Sequence, residues 1–265
     1  MILKNKKQYN VFADKKRLMP KSIDRLAVFT KKQEHFTIYG SYKLSKPLSQ
    51  TDRDIFDAIA ATGVHGEKDG QKAYLFDFSE VLRFLGHKNH ANDTWLKEKL
   101  KSLAEIVLTI KTERYEIIGH IVSHVIVSYK PKNLPKNQSR FRQGYLALIV
   151  FSKEFSKLYE KDYIIWATPK IVKAIIDLPH DFLKAIVRFC LTHEEINMTL
   201  ESILELIGYS GIQKRYYRKI RKTLIEYAEY FWENFAIKVV KNNSNGVIIL
   251  YKKNSKLIAI DYKPE

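Results

Sequence analysis

The chain has 265 residues, 45% hydrophobic and 12% aromatic, which is enough apolar surface to fill packed cores and to exclude disorder over most of its length. Lys and Arg number 46 against 29 acidic residues, and a net charge of +17 repels itself unless an anionic partner is near, most often nucleic acid. No apolar run reaches the ~20 residues of a membrane span, Met1-Ile-Leu-Lys-Asn-Lys-Lys lacks the apolar stretch of a signal peptide, and the single Cys190 permits no internal disulfide, so a cytoplasmic location is expected.

Residues 1–38 read as a basic, weakly patterned arm rich in Lys4, Lys6, Lys7, Lys15, Lys16 and Arg17. Such an arm is either a solvated tail or a source of extra phosphate contacts. Ser49-Gln-Thr-Asp52 has the form of a capping box, and Ile55, Phe56, Ile59 and Ala60 then repeat at helical spacing up to Thr62-Gly63. A turn-rich stretch from His65 to Gly70 follows, then a short strand at Tyr74–Phe76. Asp77-Phe-Ser-Glu80 is a second capping box, opening a short helix that Gly86 ends. A third helix runs from about Asn92 to Ala104 with Leu96, Leu100 and Leu103 on one side. Two β-branched runs, Ile106–Ile110 and Ile117–Val127, complete the order helix, helix, helix, hairpin, which is that of a winged helix.

Residues 130–144 form a basic, proline-containing linker carrying Lys136, Arg140 and Arg142, and no acidic residue lies between Glu116 and Glu154. Beyond it, Tyr145–Phe151 predicts a strand and Ser152-Lys-Glu-Phe a helical turn. Thr168-Pro169 is an N-cap with proline at the first helical position, and Pro179 opens a helix to about Thr192. Thr199 caps a short helix that Gly208 ends, a basic helix runs from Gln213 to about Tyr230, and Phe235–Val240 with Val247–Tyr251 form a hairpin around Asn242–Gly246. Phe84-Leu-Gly86 echoes Leu206-Ile-Gly208, and Leu96/Leu100 echo Ile220/Leu224. The expected fold is therefore α+β and predominantly helical, with a basic arm over 1–38, a first winged-helix domain and linker over 39–144, and a second winged-helix domain over 145–265.

The helix from Gln213 carries the strongest functional signal. At 100° per residue, Tyr216, Tyr217, Ile220, Leu224 and Tyr227 share the side predicted to be buried. Arg215, Arg218 and Lys222 fall nearly opposite, flanked by Lys214, Lys219 and Arg221, and no acid appears before Glu226. Like charges at i and i+4 destabilise a helix in isolation and favour one laid along phosphates. Its position after a short helix and a glycine turn is that of a recognition helix. A merely solvated basic face is the alternative reading.

The first module is less basic. Lys88, Asn89 and His90 precede its third helix, whose outward side mixes Lys99 and Lys101 with Trp95 and Glu98, so it reads as a weaker DNA contact. Trp95, opposite the leucine stripe, is expected to pack on a neighbouring element. The pairs His87/His90 and His120/His124 lack the third and fourth ligands a zinc site uses, and no metal or cofactor is expected. Tyr227, Tyr230, Phe231, Trp232 and Phe235 are assigned to the core rather than to a base-stacking platform. No Walker-type glycine loop, His-hydrophobic-His motif or nucleophile elbow is present, so an enzyme is not expected.

Three stretches of the first half resemble the first winged helix of plasmid replication initiators of the TrfA-like and Rep kind: Leu44–Ile59 (LSKPLSQTDRDIFDAI), Tyr74–Gly86 (YLFDFSEVLRFLG) and Leu96–Leu103 (LKEKLKSL). Leu183–His193 (LKAIVRFCLTH), followed by Leu206-Ile-Gly208 and the basic helix, is similar to their second winged helix. The resemblance covers about residues 39–253 and leaves the basic arm unmatched. It implies a protein that binds repeated double-stranded origin sequences, promotes opening of the adjacent DNA and recruits the host's initiator and helicase. It also implies a homodimer that alternates with an initiating monomer. A tandem winged-helix transcription regulator is the alternative within DNA binding, and an RNA-binding or architectural protein lies outside it.

Overall fold

The structure is a computed structural model that describes residues 16–20, 34–37, 40–46, 48–87, 92–111, 116–128, 146–157, 164–193, 195–207, 213–242 and 247–252. Two strands, β1 (Lys16–Pro20) and β2 (Glu34–Thr37), lie within the stretch read as a weakly patterned arm, and β3 is Gly40–Leu44. Helix α1 (Gln50–Thr62) begins at Ser49, whose Oγ accepts from the Asp52 amide at 3.1 Å while Asp52 accepts from the Ser49 amide at 2.9 Å. The predicted capping box is thus complete. The stretch His65–Gly70, read as turn-rich, is instead a hairpin of β4 (Val64–Lys68) and β5 (Gln71–Asp77). Its tip is Asp69-Gly70, with φ of 53° and 75°, the left-handed pair that a two-residue hairpin turn requires.

Helix α2 (Phe78–Phe84) is capped by Asp77, which accepts from the Ser79 amide at 2.8 Å. Helix α3 (Asp93–Ala104) buries Leu96, Leu100 and Leu103 as their spacing predicts. The run Ile117–Val127 bends at buried Ile121, which separates β7 (Glu116–His120) from β8 (Val122–Ser128). β6 is Val107–Lys111, β9 is Leu146–Phe151, and α4 is Lys153–Lys157. β7 closes the antiparallel sheet β2-β3-β6-β7, whereas β8 crosses into the sheet β4-β5-β9-β8.

β9 is paired on one side with β5 and on the other with β8. Placing it at the start of a second domain at residue 145 is therefore corrected: this strand completes the sheet of the first half. The physical reason is that it buries Ala147, Ile149 and Phe151 and fills both its ladders there.

In the second half come β10 (Ile164–Ala167), α5 (Pro169–Ile176), α6 (Asp181–Leu191), β11 (Ile196–Thr199) and α7 (Leu200–Leu206). They are followed by α8 (Lys214–Glu226), α9 (Ala228–Phe235), β12 (Lys238–Lys241) and β13 (Ile248–Lys252). β10 pairs antiparallel with β1, and β11, β13 and β12 form an antiparallel sheet in that order. The basic helix read as continuous to Tyr230 is interrupted at Tyr227. Buried Lys252 donates to the carbonyls of Cys190 and His193, placing a cation at the carbonyl end of α6.

The two halves are not beads on a linker. One continuous apolar core runs from Leu44 to Leu250, and α1 packs against both α5 and α6. Across that seam lies a buried polar cluster. Arg188 donates to Asp54 at 2.6 Å, to Asp57 at 2.9 Å and to Gln50, Lys184 donates to Asp54, and Arg53 pairs with Asp57 at 2.9 Å. Charges taken out of water persist only when they are paired in this way.

Candidate nucleic-acid interface

Among the described residues α8 carries a dense run of exposed cations, and the short helix α7 precedes it. Thr199 caps α7 by accepting from the Ser202 amide at 3.2 Å, and Leu200, Ile203 and Leu204 anchor the helix in the core. On α8 the inner stripe is Ile220, Thr223 and Leu224. Lys214, Arg215, Arg218, Lys219 and Lys222 are all exposed, as their angular positions predict. Lys222 reaches Glu226 only at 3.8 Å, with both side chains well exposed, a pairing of little energetic weight.

α8 has no acidic residue in its first turn and no side-chain cap at Gln213. Lys214 and Arg215 therefore sit at the positive end of the helix dipole, and cations repeat at i+3 and i+4 through Lys222. Both arrangements cost stability in water and become favourable beside a polyanion. The face is therefore suited to phosphate and to the acceptor edges of bases.

Arg221 differs from its neighbours. It is half-buried, and its guanidinium lies 5.7 Å from the centroid of the Tyr217 ring. The Tyr217 hydroxyl donates to Glu201 on α7, and burial, followed by that carboxylate, pushes the phenol pKa up. Tyr216, expected on the buried side, is 40% exposed and meets Phe182 edge-on at 6.4 Å.

Among its described residues the first half supplies less. Lys101 is exposed, but Lys99 is turned to Asp52 at 3.2 Å, where it braces the start of α1. Trp95 packs against the core with its ring 5.1 Å from that of His87, and His87 Nδ1 lies 3.3 Å from the Asn92 side-chain nitrogen. Lys88 and Asn89, and the linker residues Lys136, Arg140 and Arg142, lie outside the described residues. Exposed Lys238 and Lys241, on the hairpin closed by the Asn242 amide on the Val247 carbonyl at 2.8 Å, were not among the expected contacts. Their signal was the Lys-Val-Val-Lys spacing, which puts both cations at the two ends of a short strand.

Of the aromatics assigned to the core, Phe231 and Phe235 are buried and Tyr227 and Tyr230 pack against it. Trp232 is 56% exposed, which corrects its assignment. Phe231 and Phe235, four residues apart, already hold the inner face of α9, and Trp232 is rotated about 100° away from Phe231. Cys190 is fully buried, and burial pushes its thiol up to about 12. Among the described residues no group of three or more His, Cys, Asp or Glu side chains is placed to hold a metal, and no helix is long and apolar enough to cross a membrane.

No family model matches the sequence, and no curated protein matches it at the sequence level. Solved structures do match. The crystal structure of selenomethionine derivatives of domains 2 and 3 of RctB aligns with a TM-score of 0.55 at 11% identity, over 88% of this chain and 97% of that one. A second crystal structure of RctB domains 2–3 gives 0.51 at 10% identity, over 91% and 100%. In fold, the chain is similar to RctB domains 2 and 3. The similarity covers most of both chains and rests on the mixed helix-and-strand architecture.

Proposed function

We propose that the protein is a sequence-specific double-stranded DNA-binding protein that acts by binding and not by catalysis, and that its role is replication initiation of the plasmid kind. The observation that carries this reading is the outward face of α8: five exposed cations, Lys214, Arg215, Arg218, Lys219 and Lys222, with no acid before Glu226. The order α6, β11, α7, α8, β12, β13, with sheet order β11-β13-β12, supports reading the second half as a winged helix with α8 as its recognition helix. The sequence resemblance to plasmid initiators supports the biological role, and the likeness of fold to domains 2 and 3 of RctB accords with the architecture. On this reading, α8 supplies base contacts and Lys238 and Lys241 add backbone contacts. Lys101 of the first half makes a weaker one. A homodimer and the host initiator and helicase are the proposed protein partners.

The experiment is selection of duplexes from a random pool by the full chain, followed by salt titration on an enriched duplex. Enrichment of one motif, and a log K against log[salt] slope of about −5 to −9 for roughly 6–10 neutralised phosphates, is the expected outcome. No enrichment together with a slope near zero contradicts DNA binding. Failure of a plasmid carrying repeats of the motif to replicate in dependence on the protein contradicts the initiator role alone.

A further inference from the structure

The N-terminal half of α8 carries Arg215, Arg218 and Lys219, yet its buried side chains, Ile220, Thr223 and Leu224, all lie in the C-terminal half. From Lys214 to Lys219, Tyr217 packs on the core, exposed Tyr216 meets the edge of Phe182, and the other four residues are exposed cations. Its hydroxyl reaches Glu201, in the first turn of the preceding helix α7, and Arg221 covers the face of its ring one turn later. The backbone of exposed Glu201 is held in place, because α7 is capped by Thr199 and buried through Leu200 and Ile203.

Resting on the reading of α8 as the helix that reads DNA, we propose that the Tyr217–Glu201 hydrogen bond sets the rotation of α8 against α7, which makes Tyr217 a positioning residue for sequence discrimination. Without this directed bond, only the non-directional ring contacts of Tyr217 with the core and of Tyr216 with Phe182 oppose a roll of the cationic half about the stripe Ile220–Leu224. A roll of about 20° at the roughly 5–6 Å outer radius of a helix moves a side chain by about 2 Å. That displacement exceeds the tolerance of a base-edge hydrogen bond, whose length varies by only about 0.5 Å. Phosphate attraction is long-ranged and insensitive to such a shift. Loss of the bond therefore lowers discrimination while leaving affinity for arbitrary duplex in place. The raised pKa of the phenol keeps it a protonated donor throughout the neutral range.

The test compares Tyr217→Phe, Glu201→Ala and Glu201→Gln in the full chain, on a duplex selected from a random pool and on its scrambled counterpart. Tyr217→Phe and Glu201→Ala are each expected to lower the selected-to-scrambled affinity ratio about tenfold, the size of one lost hydrogen bond to a charged group. Glu201→Gln loses the same charge as Glu201→Ala but retains an acceptor, so it is expected to stay near the wild-type ratio. The double variant Tyr217→Phe/Glu201→Ala is expected to fall no further than the worse single change, the signature of one shared interaction. An unchanged ratio in Tyr217→Phe, or an equal loss on both duplexes, overturns the proposal. Arg218→Ala in the same assay separates the two levels. If it too leaves the ratio unchanged, the reading of α8 fails; if it lowers the ratio and Tyr217→Phe does not, only the clamp fails.

Discussion

Arg188 of α6 donates to Asp54 of α1 at 2.6 Å, and the two side chains are buried although 134 positions separate them in the chain. Arg188 also donates to Asp57 at 2.9 Å and to Gln50, while Lys184 shares Asp54. A single guanidinium thus serves three partners on α1, and Lys184 adds a second cation across the seam.

Arg188→Ala is expected to destabilise the chain by about 3 kcal/mol, because it removes the guanidinium that bridges two buried carboxylates and leaves Asp54 with Lys184 and Asp57 with Arg53 alone. Arg188→Lys retains the charge without the planar fork and is expected to recover only part of the loss. Urea denaturation of the three proteins measures both, and a change under about 1 kcal/mol for Arg188→Ala contradicts the role assigned to the cluster.

Joint packing of the halves makes a second prediction. The whole chain is expected to unfold in one transition, with Trp95 in the first half and Tyr230 in the second reporting the same midpoint. Cleavage at residue 145 removes β9 from β5 and β8 and uncovers the seam, so neither fragment is expected to melt cooperatively by itself. Two separate melting transitions in the intact chain contradict a shared core.

Much of this architecture is visible in the sequence where the determinants are local. Ser49, Thr168 and Thr199 cap the helices that their spacing announces, and Leu96, Leu100 and Leu103 point inward as the period requires. The seam is not visible, because Arg53, Asp54 and Asp57 on a helix look like a solvated face until a partner arrives from Arg188. The place of β9 is hidden for a related reason: a strand states its period but not its neighbours, and those of Leu146–Phe151 lie in β5 and β8. The Asp69-Gly70 dipeptide was the local sign of the β4–β5 hairpin, hidden by the weak alternation around it. The cationic face of α8 was legible throughout because charge and helical period coincide there, whereas the inward turn of Lys99 toward Asp52 is tertiary.

Cys190 gives a prediction in pH. An unfolded thiol titrates near its ordinary value of 9.0, and the folded one is pushed up to about 12. Between those values the unfolded state sheds a proton that the folded state keeps, so the contribution of this group is full below about 9 and is lost as pH rises to 12. Alkylation of Cys190 at neutral pH is therefore expected only at the rate of unfolding, and fast labelling of the native chain contradicts its burial.

Whether α8 reads DNA is decided by competition binding of Arg218→Ala and Lys219→Ala with a selected duplex and its scrambled counterpart. Arg218→Ala is expected to cost about 1–3 kcal/mol on the selected duplex, with relaxed preference at one base position and little change on the scrambled one. Lys219→Ala is expected to weaken both duplexes alike, as loss of a phosphate contact does. Wild-type affinity of Arg218→Ala for the selected duplex contradicts the account.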